Sequence, residues 1–252
     1  MDLGLTDRVV LLTGGTRGIG RASGLELAAH GARVAVTYRH DKDAAEDLVT
    51  ELGGQEGAMA VRYALDEPGS PEDAVREVTA RWGGVDVLVA NAHRRRPRRP
   101  PTAHFEDVPH EEGAAALTDN LLATLRTVQC VLPGMRARGW GRVVLLSSHV
   151  AAHGQRGQEI YGAAKSALHG LARSLAWDAG PDGILVNALA PGLTLTRDVC
   201  DNLPEAVREA EQQRTPTGRL STPRDIAHAV VFLASAANSH ISGQVLHVDG
   251  GR

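Results

Sequence analysis

Four large aliphatic residues, Val9-Val10-Leu11-Leu12, run directly into Thr13-Gly14-Gly15-Thr16-Arg17-Gly18-Ile19-Gly20, and this junction constrains the fold more than any other stretch of the chain. An uninterrupted aliphatic run bounded by turn residues has no polar face to offer water, so it reads as a strand covered on both sides, the mark of a parallel sheet. Past the glycines, Ile19, Ala22, Leu25 and Ala28 recur at helical spacing. Parallel strands must be joined by crossovers, usually helices, so strand, glycine turn and helix form the first half of a βαβ unit.

The same alternation continues along the chain. Strand-like runs are predicted at Val9–Thr13, Arg33–Tyr38, Met59–Tyr63, Val85–Ala90, Arg142–Ser147, Ile184–Ala190 and Val245–Val248. Helical stretches are expected between them, near 18–30, 42–52, 71–82, 106–138, 160–178 and 223–235. The fold class that follows is α/β: one Rossmann-type, doubly wound parallel sheet of about seven strands with helices on both faces. No internal repeat or linker divides residues 1–252, so a single domain is expected. Hydrophobic residues make up 42% and aromatic residues 3%, which requires an aliphatic, alanine-rich core.

A glycine turn between strand and helix lets the backbone approach a ligand closely, and the helix N-terminus presents free N–H groups and a partial positive charge to a pyrophosphate. The turn is therefore read as half of a dinucleotide site, although its spacing is Gly14-x-x-x-Gly18-x-Gly20 rather than G-x-G-x-x-G. Other classes fit less well. A net charge of −3 argues against a dedicated nucleic-acid binder. No apolar run reaches the roughly 18 residues of a membrane span. Two cysteines, Cys130 and Cys200, fit reduced thiols, and the first strand begins too early to leave room for a signal peptide, so a cytoplasmic protein is expected.

Only two of the 27 basic residues are lysines, Lys42 and Lys165, and Lys165 lies four positions after Tyr161 in an alanine-rich helical segment. Residues i and i+4 share a helix face, so a compact ammonium is held beside a phenol. A cation roughly 5 Å away favours a phenolate by about 3 kcal/mol at an effective dielectric of about 20, which brings tyrosine into the range of general acid–base work. By itself the pair also fits a tyrosine beside a solvated lysine.

Together these segments resemble the short-chain dehydrogenase/reductase family. The resemblance runs from about Leu5 to the C-terminus through Thr13-Gly14-x-x-x-Gly18-x-Gly20, Ala90-Asn91-Ala92, Asp119-Asn120-Leu121, Ser147-Ser148, Tyr161-x-x-x-Lys165, Asn187-x-x-x-Pro191-Gly192 and Asp249-Gly250-Gly251. It implies that Tyr161 donates a proton to a substrate carbonyl oxygen held by Ser148, while Lys165 acts on Tyr161 and a nicotinamide ribose, and Asn120 holds a relay water. Ser147 is the runner-up to Ser148, but strand neighbours point to opposite faces. It also implies cofactor contacts from Gly14, Thr16, Arg17, Gly18, Ile19, Gly20, Arg39, Asp66, Asn91, Ala92, Pro191 and Gly192. Thr194 or Thr196 is expected near the nicotinamide carboxamide, and a segment over about 193–216 is expected to cover the substrate. No metal is expected.

Thr37-Tyr38-Arg39-His40 carries no acid before Asp41, where relatives that prefer NAD have one, and Arg17 and Arg39 would complement a 2′-phosphate. NADPH is therefore the expected cofactor. The expected function is an NADPH-dependent ketoreductase of fatty-acid-like or polyketide biosynthesis, taking a small ketone substrate that is free or carrier-bound. An NAD-dependent catabolic alcohol or sugar dehydrogenase is the enzyme alternative, and a non-catalytic cofactor sensor the alternative from another class. The long helices resemble those of four-helix subunit interfaces in relatives, so a homotetramer is expected.

One segment departs from the family pattern. His93 stands where relatives have glycine and leads into Arg94-Arg95-Arg96-Pro97-Arg98-Arg99. The arginines read as a solvated loop or as an anchor for an anionic substrate, and His93 as either an outward-pointing ring or part of the substrate entrance.

Overall fold

The computed structural model describes residues 2–94, 99–100 and 102–252. Seven parallel strands line up in the order β3-β2-β1-β4-β5-β6-β7. In chain order they are β1 (Val9–Thr13), β2 (Arg33–Tyr38), β3 (Ala58–Arg62), β4 (Val87–Ala90), β5 (Gly141–Leu146), β6 (Ile184–Pro191) and β7 (Val245–Val248). The helices are α1 (Gly18–Ala29), α2 (Lys42–Glu51), α3 (Ser70–Trp82), α4 (His110–Leu117), α5 (Ala123–Arg138), α6 (Val150–His153), α7 (Glu159–Ala179), α8 (Arg197–Asn202), α9 (Glu205–Gln213) and α10 (Pro223–Ala234).

The pleat divides the aliphatic strands between two cores. Leu11, Leu88, Val143 and Val186 face Val78 of α3, Val131 of α5 and Leu168 of α7. Val10, Leu12, Val36 and Val89 face Leu27 of α1, Leu48 of α2 and Val230 of α10. Every residue of β1, β4 and β5 is buried, which explains why their sequence shows no alternation. The chain order reverses between β1 and β4, so the crevice beyond their carboxyl ends is the topological switch point of the sheet.

Two expectations needed correction. The fourth strand begins at Val87 rather than Val85, because the Asp86 carboxylate accepts the Val9 amide at 3.0 Å and ends the regular ladder there. The helical stretch expected near 106–138 is interrupted: Pro109 precedes α4, and Thr118–Leu122 forms a widened turn with i→i+5 hydrogen bonding before α5. Asn120 lies in that turn and has a task outside the helix.

Candidate active site

The glycine turn is held from three adjacent strands. Thr13 Oγ1 accepts the amides of Asn91 and Ala92, both at 3.0 Å, while Asn91 Nδ2 donates to the carbonyls of Thr13 and Gly14 at 3.0 and 2.9 Å. From β2, Thr37 Oγ1 accepts the Gly14 amide at 2.9 Å. Gly14 has φ of +69°, and a Cβ there would lie 2.9 Å from Ala92 Cα. At Gly20 a Cβ would come 2.1 Å from the Gly14 carbonyl oxygen. Helix α1 starts at Gly18 after Arg17, whose side chain makes no cap, so its first amides remain directed at the crevice. Thr16 and Ile19 flank the same turn, and Ile19 lines the cleft.

That cleft has a volume of about 1140 Å³ and runs along the carboxyl ends of the central strands. It brings together Asn120, Ser148, Tyr161, Pro191, Gly192, Thr194 and Thr196 from four separate stretches of sequence. Helix α7 supplies Tyr161 and Lys165 from one face. Lys165 is buried, its Nζ donates to the Leu146 carbonyl at 2.6 Å, and it lies 6.0 Å from the centre of the Tyr161 ring. Burial lowers the ammonium pKa from 10.5 to about 8.

The two serines after β5 part as strand alternation requires. Ser147 Oγ donates to the Lys165 carbonyl at 3.1 Å and lies 2.7 Å from His169 Nε2, so that ring nitrogen carries a proton and donates to the hydroxyl. Ser148 Oγ accepts the Val150 amide at 3.2 Å and stays on the cleft side. Ser147 thus braces the backbone of the helix that carries Tyr161, one turn from the phenol.

Asn120 reaches out of its widened turn. Its Oδ1 accepts the Arg94 amide at 2.7 Å, and its Nδ2 donates to the carbonyls of Arg94 and Ala116 at 3.2 and 3.0 Å. The side chain fixes the backbone after β4, and with it His93, whose ring meets the Tyr161 ring edge to face at 5.0 Å with an interplanar angle of 73°. His93 is exposed yet turned to the cleft, so it does not simply point outward. Of the five arginines that follow, Arg95, Arg96 and Arg98 lie outside the described residues. Arg99 pairs with Glu159 at 2.6 Å.

At the far end of β2, Arg39 is not alone. Asp66, which follows β3, accepts from Arg39 Nη2 at 2.5 Å and from Arg94 Nη1 at 2.8 Å, both on Oδ2. An acid thus lies beside Arg39 although none stands at the end of β2 itself. Asp41 instead caps α2 through the Ala44 amide at 3.0 Å. Arg17 is exposed at the neighbouring turn. Thr194 is buried and donates to the Gly192 carbonyl at 3.0 Å, while Thr196 caps α8 with its methyl beside Gly18. Of the two threonines, Thr196 is the one that faces the glycine turn.

Comparison with known proteins agrees with this geometry. A family model described as enoyl-(acyl carrier protein) reductase matches residues 14–252. The chain is 36% identical over 249 residues to the 3-oxoacyl-(acyl-carrier-protein) reductase FabG of Vibrio cholerae, covering 99% of this chain and 98% of that one. It is 35% identical over 257 residues to the enzyme of the same name from Aquifex aeolicus, covering 100% and 99%. A solved short chain dehydrogenase/reductase family protein superposes with a TM-score of 0.85 at 34% identity, covering 100% of this chain and 98% of that one. The chain belongs to the short-chain dehydrogenase/reductase family.

As a short-chain dehydrogenase/reductase it is an oxidoreductase of a family that uses a nicotinamide dinucleotide. The residues present fit that group. The turn leaves a cradle that a Cβ at Gly14 or Gly20 would fill, and beyond the ends of β2 and β3 two buried polar atoms, Asp66 Oδ1 and Arg39 Nε, have no hydrogen-bond partner among the described residues. Thr13, Thr37 and Ser147 are contributors that the sequence did not single out for these tasks. A hydroxyl in a strand carries no sequence signal of what it will hold, because its partners come from other strands.

Proposed function

We propose that this short-chain dehydrogenase/reductase is an NADPH-dependent ketoreductase that reduces the ketone of a 3-oxoacyl-type or polyketide-like substrate, free or carrier-bound, in the cytoplasm. The observation that carries the reading is that Ser148 and Tyr161 line one cleft beside the glycine turn while the buried Lys165 lies 6.0 Å from the Tyr161 ring. When bound, the reduced dinucleotide supplies the hydride; Gly14, Thr16, Arg17, Gly18, Ile19, Gly20, Arg39, Asp66, Asn91, Ala92, Pro191, Gly192, Thr194 and Thr196 are the residues assigned to hold it.

On this reading Ser148 orients the carbonyl oxygen and Tyr161 donates the proton that it needs on reduction. Lys165 keeps positive charge behind Tyr161, and Asn120 joins the relay that returns a proton from solvent. Residues 193–216, which include α8 and α9, cover the substrate. Val199, Leu203 and Val207 line the cleft there and suit an acyl chain. The exposed Trp177 on α7 and Leu246 on the edge strand β7 are apolar surface suited to the subunit contacts of a homotetramer.

Asp66 is the one observation that favours the NAD-dependent alternative, since a carboxylate near the adenosine end suits a ribose hydroxyl. The deciding experiment measures NADPH and NADH oxidation with a panel of 3-oxoacyl thioesters, simple ketones and sugars. Faster turnover of NADPH with the 3-oxoacyl thioesters supports the proposal. Preferential NAD reduction by alcohols or sugars overturns it, as does a protein that binds nucleotide but turns over no substrate.

A further inference from the structure

Among the described residues of the arginine run after β4, Arg94 borders the cleft yet carries its guanidinium to two carboxylates. Arg94 has its backbone clamped by Asn120, and its guanidinium runs back to Asp66 and to the buried Asp119, at 2.8 and 3.0 Å. Asp66 meets Arg39 through the same oxygen that meets Arg94. Two cations from distant stretches thus share one carboxylate oxygen, and the other oxygen, Oδ1, is buried without a partner.

The electrostatics of this cluster bear on which nucleotide it accepts. A phosphate carrying nearly two negative charges is repelled by a nearby carboxylate and attracted by an arginine. With Arg39 as its only partner, Asp66 would hold that guanidinium tightly and present its own charge to an incoming phosphate. Arg94 changes both terms. It supplies a second cation to Asp66, and it leaves Arg39 free to turn its buried, unpartnered Nε and remaining N–H groups toward an anion. None of the three side chains is more than about two-fifths exposed, so solvent screens the cluster only in part.

We propose that Arg94 is a specificity-determining residue for the nucleotide: it neutralises Asp66 and so makes the adenosine end of the site compatible with a 2′-phosphate. The proposal deepens the NADPH reading and rests on it. It assigns selectivity to a residue outside the glycine turn and outside β2, on a loop that otherwise serves the substrate side. Because Asn120 holds the Arg94 backbone, nucleotide selectivity and the widened turn before α5 share one loop.

The test uses adenosine 2′,5′-bisphosphate and 5′-AMP as probes, with affinities read by calorimetry on the intact protein at low salt. Arg94→Gln is expected to weaken the bisphosphate about tenfold, equivalent to about 1.4 kcal/mol, and to change AMP affinity less than about threefold. Arg94→Lys, which keeps the charge, is expected to retain most of the bisphosphate affinity. Asp66→Asn added to Arg94→Gln removes the charge that needed neutralising and should restore the ratio of the two affinities to within about threefold of the wild-type value. Equal weakening of both probes by Arg94→Gln, or an unchanged ratio, overturns the proposal and leaves Arg94 as a loop anchor only. Circular dichroism and thermal unfolding of each variant separate misfolding from a change in affinity; if Arg94→Gln does not fold, Asp66→Asn alone decides, because removing the carboxylate that Arg39 and Arg94 share should raise the bisphosphate-to-AMP affinity ratio, and an unchanged or lower ratio overturns the proposal. A wild-type protein that prefers AMP would refute the NADPH reading alone, because the Arg94 effect is read as a change in the ratio whichever probe is preferred.

Discussion

Along the glycine-turn side of the cleft, polar atoms are locked by buried or half-buried partners on three adjacent strands: Thr13 and Asn91 hold the turn from within, and Thr37 holds it from β2. The opposite wall is built differently. Helices α8 and α9 bury none of their residues, and α9 is tied down by the bidentate ion pair between Glu211 and Arg252. His93, which follows the turn-bound Ala92, meets the Tyr161 ring edge to face in the cleft. A wall whose polar atoms are already paired within the fold can be rigid. A wall made of exposed side chains on short helices can vary from one member to another without disturbing the sheet. Between the two walls stands α7, whose backbone is braced by Ser147 and whose lysine is buried.

The comparison can be broken most sharply at the junction. Tyr161→Phe removes the proton donor and leaves the turn untouched, so turnover should fall at least about a hundredfold while nucleotide affinity stays within a few-fold. Retention of more than a tenth of the wild-type rate would remove Tyr161 from the mechanism. On the rigid side, Gly20→Ala pushes a methyl into the Gly14 carbonyl. A cost of about 1–3 kcal/mol is expected, seen as a melting temperature lower by a few degrees up to about 10 °C together with weaker nucleotide binding. An unchanged melting curve would show that the turn is softer than its hydrogen bonds imply.

Lys165 links the two walls through pH. Its ammonium is lost as pH rises through about 8, so ketone reduction should decline above that value, by up to about tenfold per pH unit, and Lys165→Arg should move the limb upward. The effect on stability has the opposite sign. Between about 8 and 10.5 the unfolded chain keeps this proton and the folded chain does not, so this group makes the fold more stable as pH rises across the window. A flat rate profile from pH 7 to 9 would separate Lys165 from the chemistry. The smallest effect belongs to the variable wall: His93→Gly should raise the substrate KM by about two- to tenfold, the scale of one aromatic contact, with nucleotide affinity unchanged. If nucleotide binding tightens instead and KM does not move, His93 belongs to the rigid side.

Much of this was legible in the linear chain because it depends on local rules. Aliphatic runs and helical spacing located all seven strands and most helices, and the interval from Tyr161 to Lys165 placed both on one face of α7. The break at Asn120 was not legible: Leu117 to Leu122 reads as continuous helix, and the turn widens where Asn120 meets the Arg94 backbone from another segment. The role of Ser147 was foreseen only negatively, as the serine facing away from the cleft.

What the sequence determined by itself was the parallel α/β sheet, the glycine turn at its switch point and the Ser148, Tyr161 and Lys165 set, since periodicity and short spacings encode contacts made within an element or across one connection. What tertiary structure alone decided was which charges meet. Asp66 approaches Arg39 because β3 lies beside β2, and Arg94 reaches the same carboxylate because the loop after β4 crosses the end of the sheet. Coulomb interactions depend on distance in space, and 27 or 28 positions of chain separate these partners, so the electrostatics of this cluster could be read only once the strands were side by side.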